Sequence, residues 1–297
     1  MNYYQPDTLT FLDGNWIKAA EAKGSLYDQT LHYGYGAFDG LRSYKNAEGC
    51  NIFKATEHFQ RLIKSANRLN IRVPYSAEDM THIAYQLLKK NNLLTAYIRP
   101  LIFLGPNMEL TNDTTSHFFM AAWPWKKYLG YDPIDIMVSK YRKPSDHTAP
   151  FNAKLVGNYM NSILASSQAK QSGYHEALML DVDGFVAEGA AANFFYEKDQ
   201  VLYTPHTRHA LPGITRATII DLAKQWGIKV IEKDISLEEV YQADYAFLTG
   251  TATEVTPIGT IDGERLKGNW EDSHGYNLYL MYRRLVMHNE FMDLTIV

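Results

Sequence analysis

The chain has 297 residues, enough for one large core or two of ordinary size. Hydrophobic residues make up 46% and charged residues 21%, as in ordinary globular proteins, and 29 Lys and Arg against 33 Asp and Glu leave a net charge of -4, which argues against nucleic acid as the main partner. The single cysteine, Cys50, excludes an intramolecular disulfide and a cysteine metal cluster; no apolar run is long enough to span a membrane, and the first residues lack the basic and apolar regions of a secretory signal, so the expected location is the cytoplasm.

In chain order, Thr8-Leu-Thr-Phe-Leu before Asp13-Gly-Asn reads as a strand entering a tight turn. Tyr33-Gly-Tyr-Gly-Ala-Phe-Asp-Gly40 lacks the lysine of a phosphate-binding loop and reads as a strand and turn lining an apolar pocket. Asn51-Ile-Phe-Lys is a short strand. Thr56 is the expected N-cap of a helix carrying Phe59, Leu62, Ile63, Ala66 and Leu69, and Ser76 that of a second carrying Met80, Ile83, Leu87 and Leu88. Tyr97–Gly105 and His117–Trp123 read as buried strands. The Pro-, Gly- and aromatic-rich stretch from Trp123 to Pro133 marks a linker, so the expected division is residues 1–123, a linker 124–133, and residues 134–297.

Beyond it, Ile134–Ser139 is strand-like and Gly157–Lys170 has helical spacing. Asp183-Gly184 between two apolar runs is a hairpin signal. Phe194-Phe-Tyr and Val201-Leu-Tyr flank a polar turn, and a helix follows Pro212-Gly213 until Gly227 stops it. Strands and helices mix without strict βαβ alternation, so the expected class is α+β. The abundant Tyr and Phe fit either large cores or an aromatic pocket with a subunit interface.

Four places carry chemistry. Lys154 lies just before a helix among small and polar residues, and a lysine amine can form a Schiff base when its pKa falls in a buried site. Glu188, followed by Gly189-Ala-Ala-Ala, is a carboxylate that could keep a pyridine nitrogen protonated. Gly213-Ile-Thr-Arg opens a helix whose free amides suit phosphate, with Thr215 adding a hydroxyl, and Gly250-Thr-Ala-Thr offers a second turn. Arg61 is a candidate guanidinium for the same phosphate. These are the parts of a pyridoxal-phosphate enzyme. The ten histidines form no His-Glu-x-x-His, and no Gly-x-Ser-x-Gly occurs, so metal and serine-hydrolase chemistry have little support and no metal is expected.

The run from Glu188 through Arg216, with its spacing of Asn193, Thr204 and Gly213, resembles the signature of the class IV, fold type IV pyridoxal-phosphate aminotransferases. Leu31-His-Tyr-Gly, Phe38-Asp-Gly-Leu-Arg, Ala96-Tyr-Ile-Arg-Pro-Leu and Ala210-Leu-Pro-Gly-Ile-Thr-Arg look like the branched-chain-amino-acid aminotransferases within them. The resemblance implies a two-domain fold of the D-amino-acid-aminotransferase type, with a small N-terminal α/β domain and a larger C-terminal one, in a homodimer. It implies that Lys154 forms the Schiff base with pyridoxal 5'-phosphate and shuttles the proton. Glu188 would pair with the ring nitrogen and Tyr159 with the phenolic oxygen. Arg61, the Ile214 and Thr215 amides, and Thr251 would hold the phosphate. Tyr97 and the Thr251-Ala252 turn would receive the α-carboxylate, and Arg99 the side-chain carboxylate of glutamate. Phe38, Gly40, Tyr159 and Trp125 would shape the side-chain pocket, with Tyr33 reaching in from a partner subunit.

The implied reaction is ping-pong transfer of the amino group of leucine, isoleucine or valine to 2-oxoglutarate. Its partners would be small amino and 2-oxo acids. Asp39 stands where a glutamate is usual, and Glu109 in Gly105-Pro-Asn-Met-Glu-Leu110 could shift preference toward other donors. The alternatives are a D-amino-acid or (R)-amine transaminase, an aminodeoxychorismate lyase, or a non-catalytic binder of the same fold.

Overall fold

A computed structural model describes residues 3–125, 129 and 132–288; most of the expected linker lies outside them. The described residues form two compact units, the first built from 3–125, 153–158 and 286–288, the second from 129, 132–152 and 159–285. The chain therefore leaves the first unit and returns to it for the short segment that carries Lys154.

The first unit contains β1 (Leu9–Leu12), β2 (Asn15–Lys18), α1 (Gln29–Tyr33), β3 (Gly36–Phe38), β4 (Leu41–Asn46), β5 (Gly49–Ile52), α2 (Ala55–Arg68), α3 (Ala77–Lys90), β6 (Ala96–Leu104) and β7 (Ser116–Pro124). Its strands form an antiparallel sheet in the order β2-β1-β7-β6-β4-β5, with β3 on β6. Asp13 and Gly14 take positive φ (46° and 88°), the left-handed pair a two-residue hairpin needs. Phe59, Leu62, Ala66, Met80, Ala84 and Leu87 share one core with Ile98, Ile102, Phe118 and Met120, so the helices' apolar stripes pack with alternate residues of the two long strands. Ala153 and Leu155 of the returning segment join that core. Leu155 bridges Ala37, and the Val156 and Gly157 amides donate to the Gly36 and Gly34 carbonyls at 2.9 Å each.

Two local expectations are corrected. The chain turns from β5 into α2 at Lys54 with a left-handed φ of 48°, so the helix begins at Ala55 and Thr56 lies inside it rather than capping it. Tyr33 is the last residue of α1, closed by Gly34 at φ 66°, and only Gly36–Phe38 of that stretch is strand. Ser76 caps α3 as expected, with a reciprocal box to Asp79.

The second unit contains β8 (Ile134–Val138), α4 (Tyr159–Gln171), β9 (Glu176–Leu180), β10 (Val186–Gly189), β11 (Asn193–Lys198), β12 (Val201–Pro205), α5 (Ile214–Gln225), β13 (Val230–Lys233), α6 (Leu237–Tyr241), β14 (Tyr245–Gly250), β15 (Glu254–Ile261), β16 (Glu264–Arg265), a short 3₁₀ turn (Trp270–Asp272) and α7 (His274–His288) up to Leu285, the last three residues of α7 being counted with the first unit. The sheet order is β10-β9-β8-β15-β14-β11-β12-β13, with β16 on β15. The β8–β9, β8–β15 and β12–β13 pairs are parallel and the others antiparallel, so the α+β class holds. Leu178, Phe194, Tyr196, Ala246, Leu248 and Ile258 line its main core. Among the described residues, no helix is long and apolar enough to cross a membrane.

Candidate active site

Lys154 lies shortly before Tyr159, the first residue of α4, and is held by its backbone. Its amide donates to Ser65 Oγ at 3.0 Å, and its carbonyl accepts from the Phe38 amide at 3.2 Å. Its ammonium stands 5.1 Å from the centre of the Phe38 ring. Burial first, and then the Arg61 and Arg99 charges, push the amine down to about 8, against the opposing pull of Asp39.

Around it the first unit gathers most of the expected side chains. Arg99 lies over the Phe38 ring at 4.8 Å and the Tyr97 ring at 5.3 Å, and donates from Nη2 to Tyr97 Oη at 3.3 Å. Its Nε is buried with no hydrogen-bond partner among the described residues, an orphan donor suited to a carboxylate. Trp125 lies against Tyr97 with ring centroids 5.1 Å apart. Gly40 is a matter of space: a Cβ there would lie 1.9 Å from Tyr97 Oη.

Arg61 is not a solvated helix residue. Its Nε and Nη2 each donate to Asp39 at 2.8 Å, one to each carboxylate oxygen. His58, one helical turn earlier, and the Gly40 amide complete the shell of Asp39 at 2.8 and 2.7 Å. Burial alone would raise the Asp39 carboxyl, but Arg61 and His58 beside it hold it far below the usual range. Burial pushes His58 down in turn, against the attraction of Asp39. Tyr33 is turned elsewhere: it is 45% exposed and donates to the Met108 carbonyl at 3.1 Å. Glu109 is exposed. A separate cavity of about 290 Å³ in this unit, lined in part by Leu12, Phe103, Phe119 and Trp123, contains none of the expected residues.

The second unit gathers the others. Glu188 on β10 is buried. Its Oε1 receives Lys143 Nζ at 2.8 Å, and its Oε2 receives Asn193 Nδ2 and the Leu211 amide at 3.2 Å each. Burial works against the Lys143 ammonium, but Glu188 and then Tyr159 outweigh it and raise the lysine above its ordinary value. Gly213 precedes α5, whose first two amides are those of Ile214 and Thr215; no side chain caps that end. A Cβ on Gly213 would lie 1.9 Å from Asn193 Oδ1, so a larger residue where the helix starts would displace the asparagine that holds Glu188. Thr251 and Ala252 form the turn between β14 and β15, where Gly250 and Glu254 pair across the strands.

The two lysines, Lys143 buried and Lys154 partly buried, differ in kind. Lys143 stays an ammonium tied to a carboxylate. Lys154, at about 8, yields an appreciable share of neutral amine near physiological pH and is the better nucleophile. Sequence reasoning missed Lys143, His58 and the anchoring role of Asp39. His58 had a signal in its spacing of three from Arg61 on one helix face, whereas Lys143 had none, because its partner comes from a distant strand.

The model of the family described as "Amino-transferase class IV" matches residues 36–261. The chain belongs to the class IV aminotransferases. This aminotransferase is 41% identical over 261 residues to the branched-chain-amino-acid aminotransferase of Salmonella typhimurium, covering 85% of this chain and 84% of that one. Among solved structures it is similar to the branched-chain aminotransferase of the archaeon Thermoproteus uzoniensis with norvaline, at 36% identity and a TM-score of 0.92 over 96% of both chains. It is also similar to the T.th. branched-chain amino acid aminotransferase complexed with N-(5'-phosphopyridoxyl)-L-glutamate, at 32% identity and a TM-score of 0.89 over 96% of this chain and 95% of that one. The enzyme class and the fold type expected from the sequence are therefore those of this aminotransferase, and class IV aminotransferases use pyridoxal phosphate.

Proposed function

We propose that this aminotransferase moves the amino group of leucine, isoleucine or valine to 2-oxoglutarate, using pyridoxal 5'-phosphate attached to Nζ of Lys154. The observation that carries the reading is the amine of Lys154, lowered to about 8 and set beside Phe38. The residues present fit the cofactor in kind: an amine that can be neutral, a buried carboxylate, and a helix start with uncapped amides. The relatives' names, and the norvaline, phosphopyridoxyl and glutamate moieties of the solved complexes, support the substrate and cofactor classes.

When bound, the cofactor supplies a sink for the electrons released as a substrate Cα–H bond breaks. The protein's part is to attach, orient and move protons. Glu188 would pair with the ring nitrogen of the bound cofactor and Tyr159 with its phenolic oxygen. Arg61, fixed by Asp39, the Ile214 and Thr215 amides, and Thr251 would hold the phosphate. Tyr97 and the Thr251-Ala252 turn receive the substrate α-carboxylate. Lys154, as neutral amine, would take the Cα proton and return it. Phe38, Gly40, Tyr159 and Trp125 present an apolar wall to the branched side chain, and Arg99 pairs with the side-chain carboxylate of glutamate in the other half of a ping-pong cycle. Tyr33 acts from a partner subunit of a homodimer, and the enzyme works in the cytoplasm.

The visible spectrum of the purified protein tests this. The expected result is a yellow band that bleaches with L-leucine and returns with 2-oxoglutarate. A colourless Lys154→Ala protein that still transaminates would refute the attachment. Faster turnover of D-alanine or an aromatic (R)-amine than of L-leucine would refute the substrate class.

A further inference from the structure

We infer that Lys143 is a positioning residue for this reaction: its ammonium fixes the place and charge of the Glu188 carboxylate. The inference rests on the reading of Glu188 as partner of the cofactor's ring nitrogen. Nζ of Lys143 lies 2.8 Å from Oε1 of Glu188, with side-chain exposures of 8% and 7%. The backbone pins the lysine as well, its amide donating to the Leu180 carbonyl at 2.8 Å. The carboxylate is thus gripped at one oxygen by a fixed cation and at the other by Asn193 and the Leu211 amide. Rotating it would break charge-assisted bonds at both oxygens, a loss in a buried site.

The pair also has an electrostatic consequence. An ammonium in contact with a carboxylate draws charge from it and weakens its hold on any proton it shares with a ring nitrogen. Through that shared proton the lysine bears on how readily the bound cofactor gives up a proton of its own. The titratable groups that act on Lys143 are Glu188 and Tyr159.

The experiment uses the holoenzyme with Lys143→Met, Lys143→Arg, Glu188→Gln and the Lys143→Met/Glu188→Gln double variant. The readouts are the pH midpoint of the visible band and the dissociation constant of pyridoxal phosphate, at a temperature where circular dichroism shows each variant folded. Losing the fixed positive charge should raise the Met variant's midpoint by at least ~0.5 pH unit and weaken cofactor binding by about fivefold or more, while the Arg variant stays within about twofold of the wild type. On the Glu188→Gln background, Lys143→Met should add nothing, because the lysine acts through the carboxylate. The double variant also removes both buried charges, so the coupling remains measurable if the single Met variant does not fold. A folded Met variant that titrates and binds like the wild type overturns the role of Lys143 and leaves the cofactor reading standing; so does an equal shift on both backgrounds. A wild-type protein with no visible band and no affinity for pyridoxal phosphate overturns the cofactor reading itself.

Discussion

Lys154 shows how a single side chain trades stability for reactivity. Its amine falls from an ordinary 10.5 to about 8 because burial and the arginine charges disfavour the ammonium. In the cofactor-free protein this has a definite sign. Between those two values the unfolded chain binds a proton that the folded chain does not, so stability rises with pH across that window. Below about 8 the folded state bears the full cost of a crowded ammonium. Lys154→Met should therefore stabilise the cofactor-free protein near neutral pH, by up to roughly 2–3 kcal/mol. The gain should fade as pH climbs toward the ordinary lysine value. Urea unfolding at several pH values measures it, and a Met variant less stable than the wild type at neutral pH would contradict the argument. Lys154 could be picked out from sequence by its place before a helix among small residues. Lys143 could not, because nothing near it in the chain announces Glu188.

At the scale of elements, what was legible was what local chemistry dictates. Ser76 and Asp79 stand three apart before an apolar periodicity, and the capping box is there. Asp183-Gly184 between apolar runs gives the β9–β10 hairpin, with Gly184 at φ 94°. Thr56 failed as a cap because a left-handed residue, Lys54, had already started the helix; non-glycine residues seldom adopt that conformation, so sequence reasoning favoured the hydroxyl. The start of α5 was legible from Pro212-Gly213, but the reason for the glycine was not. It is steric: Asn193 Oδ1 fills the space a Cβ would take. Since Asn193 also donates to Glu188, Gly213→Ala should disturb both the helix start and the carboxylate. We expect cofactor binding weakened by about tenfold with far-UV dichroism unchanged, a loss of roughly 1.4 kcal/mol. Equilibrium dialysis against pyridoxal phosphate checks it, and unchanged affinity would show that Asn193 moves aside without consequence.

For the molecule as a whole, the order of the chain is not the order of its compact units. Composition pointed to a cut near the aromatic, Pro-rich stretch, and no local signal said that residues 153–158 would rejoin the first unit. The reason is packing rather than pattern. Leu155 is 4% exposed and Ala153 is 9% exposed within the first core, and the Val156 and Gly157 amides bond to the carbonyls on either side of Tyr35. Such contacts pair residues far apart in sequence, which periodicity does not reveal. They also place the reactive lysine in a segment clamped on both sides, at Ser65 before it and at Gly36 after it. A polypeptide ending at Trp125 would keep the seven-stranded sheet's own residues but lose this clasp and the burial of Leu155. Removing a buried leucine side chain costs about 2–5 kcal/mol, a large share of what a domain of this size has to spare. Residues 1–125 alone should therefore unfold at markedly lower urea than the matching unit of the full chain, or without a cooperative transition. Extending the polypeptide to residue 158 should restore much of the loss. Equal stability of the two fragments would mean that the returning segment rests on a core already complete without it.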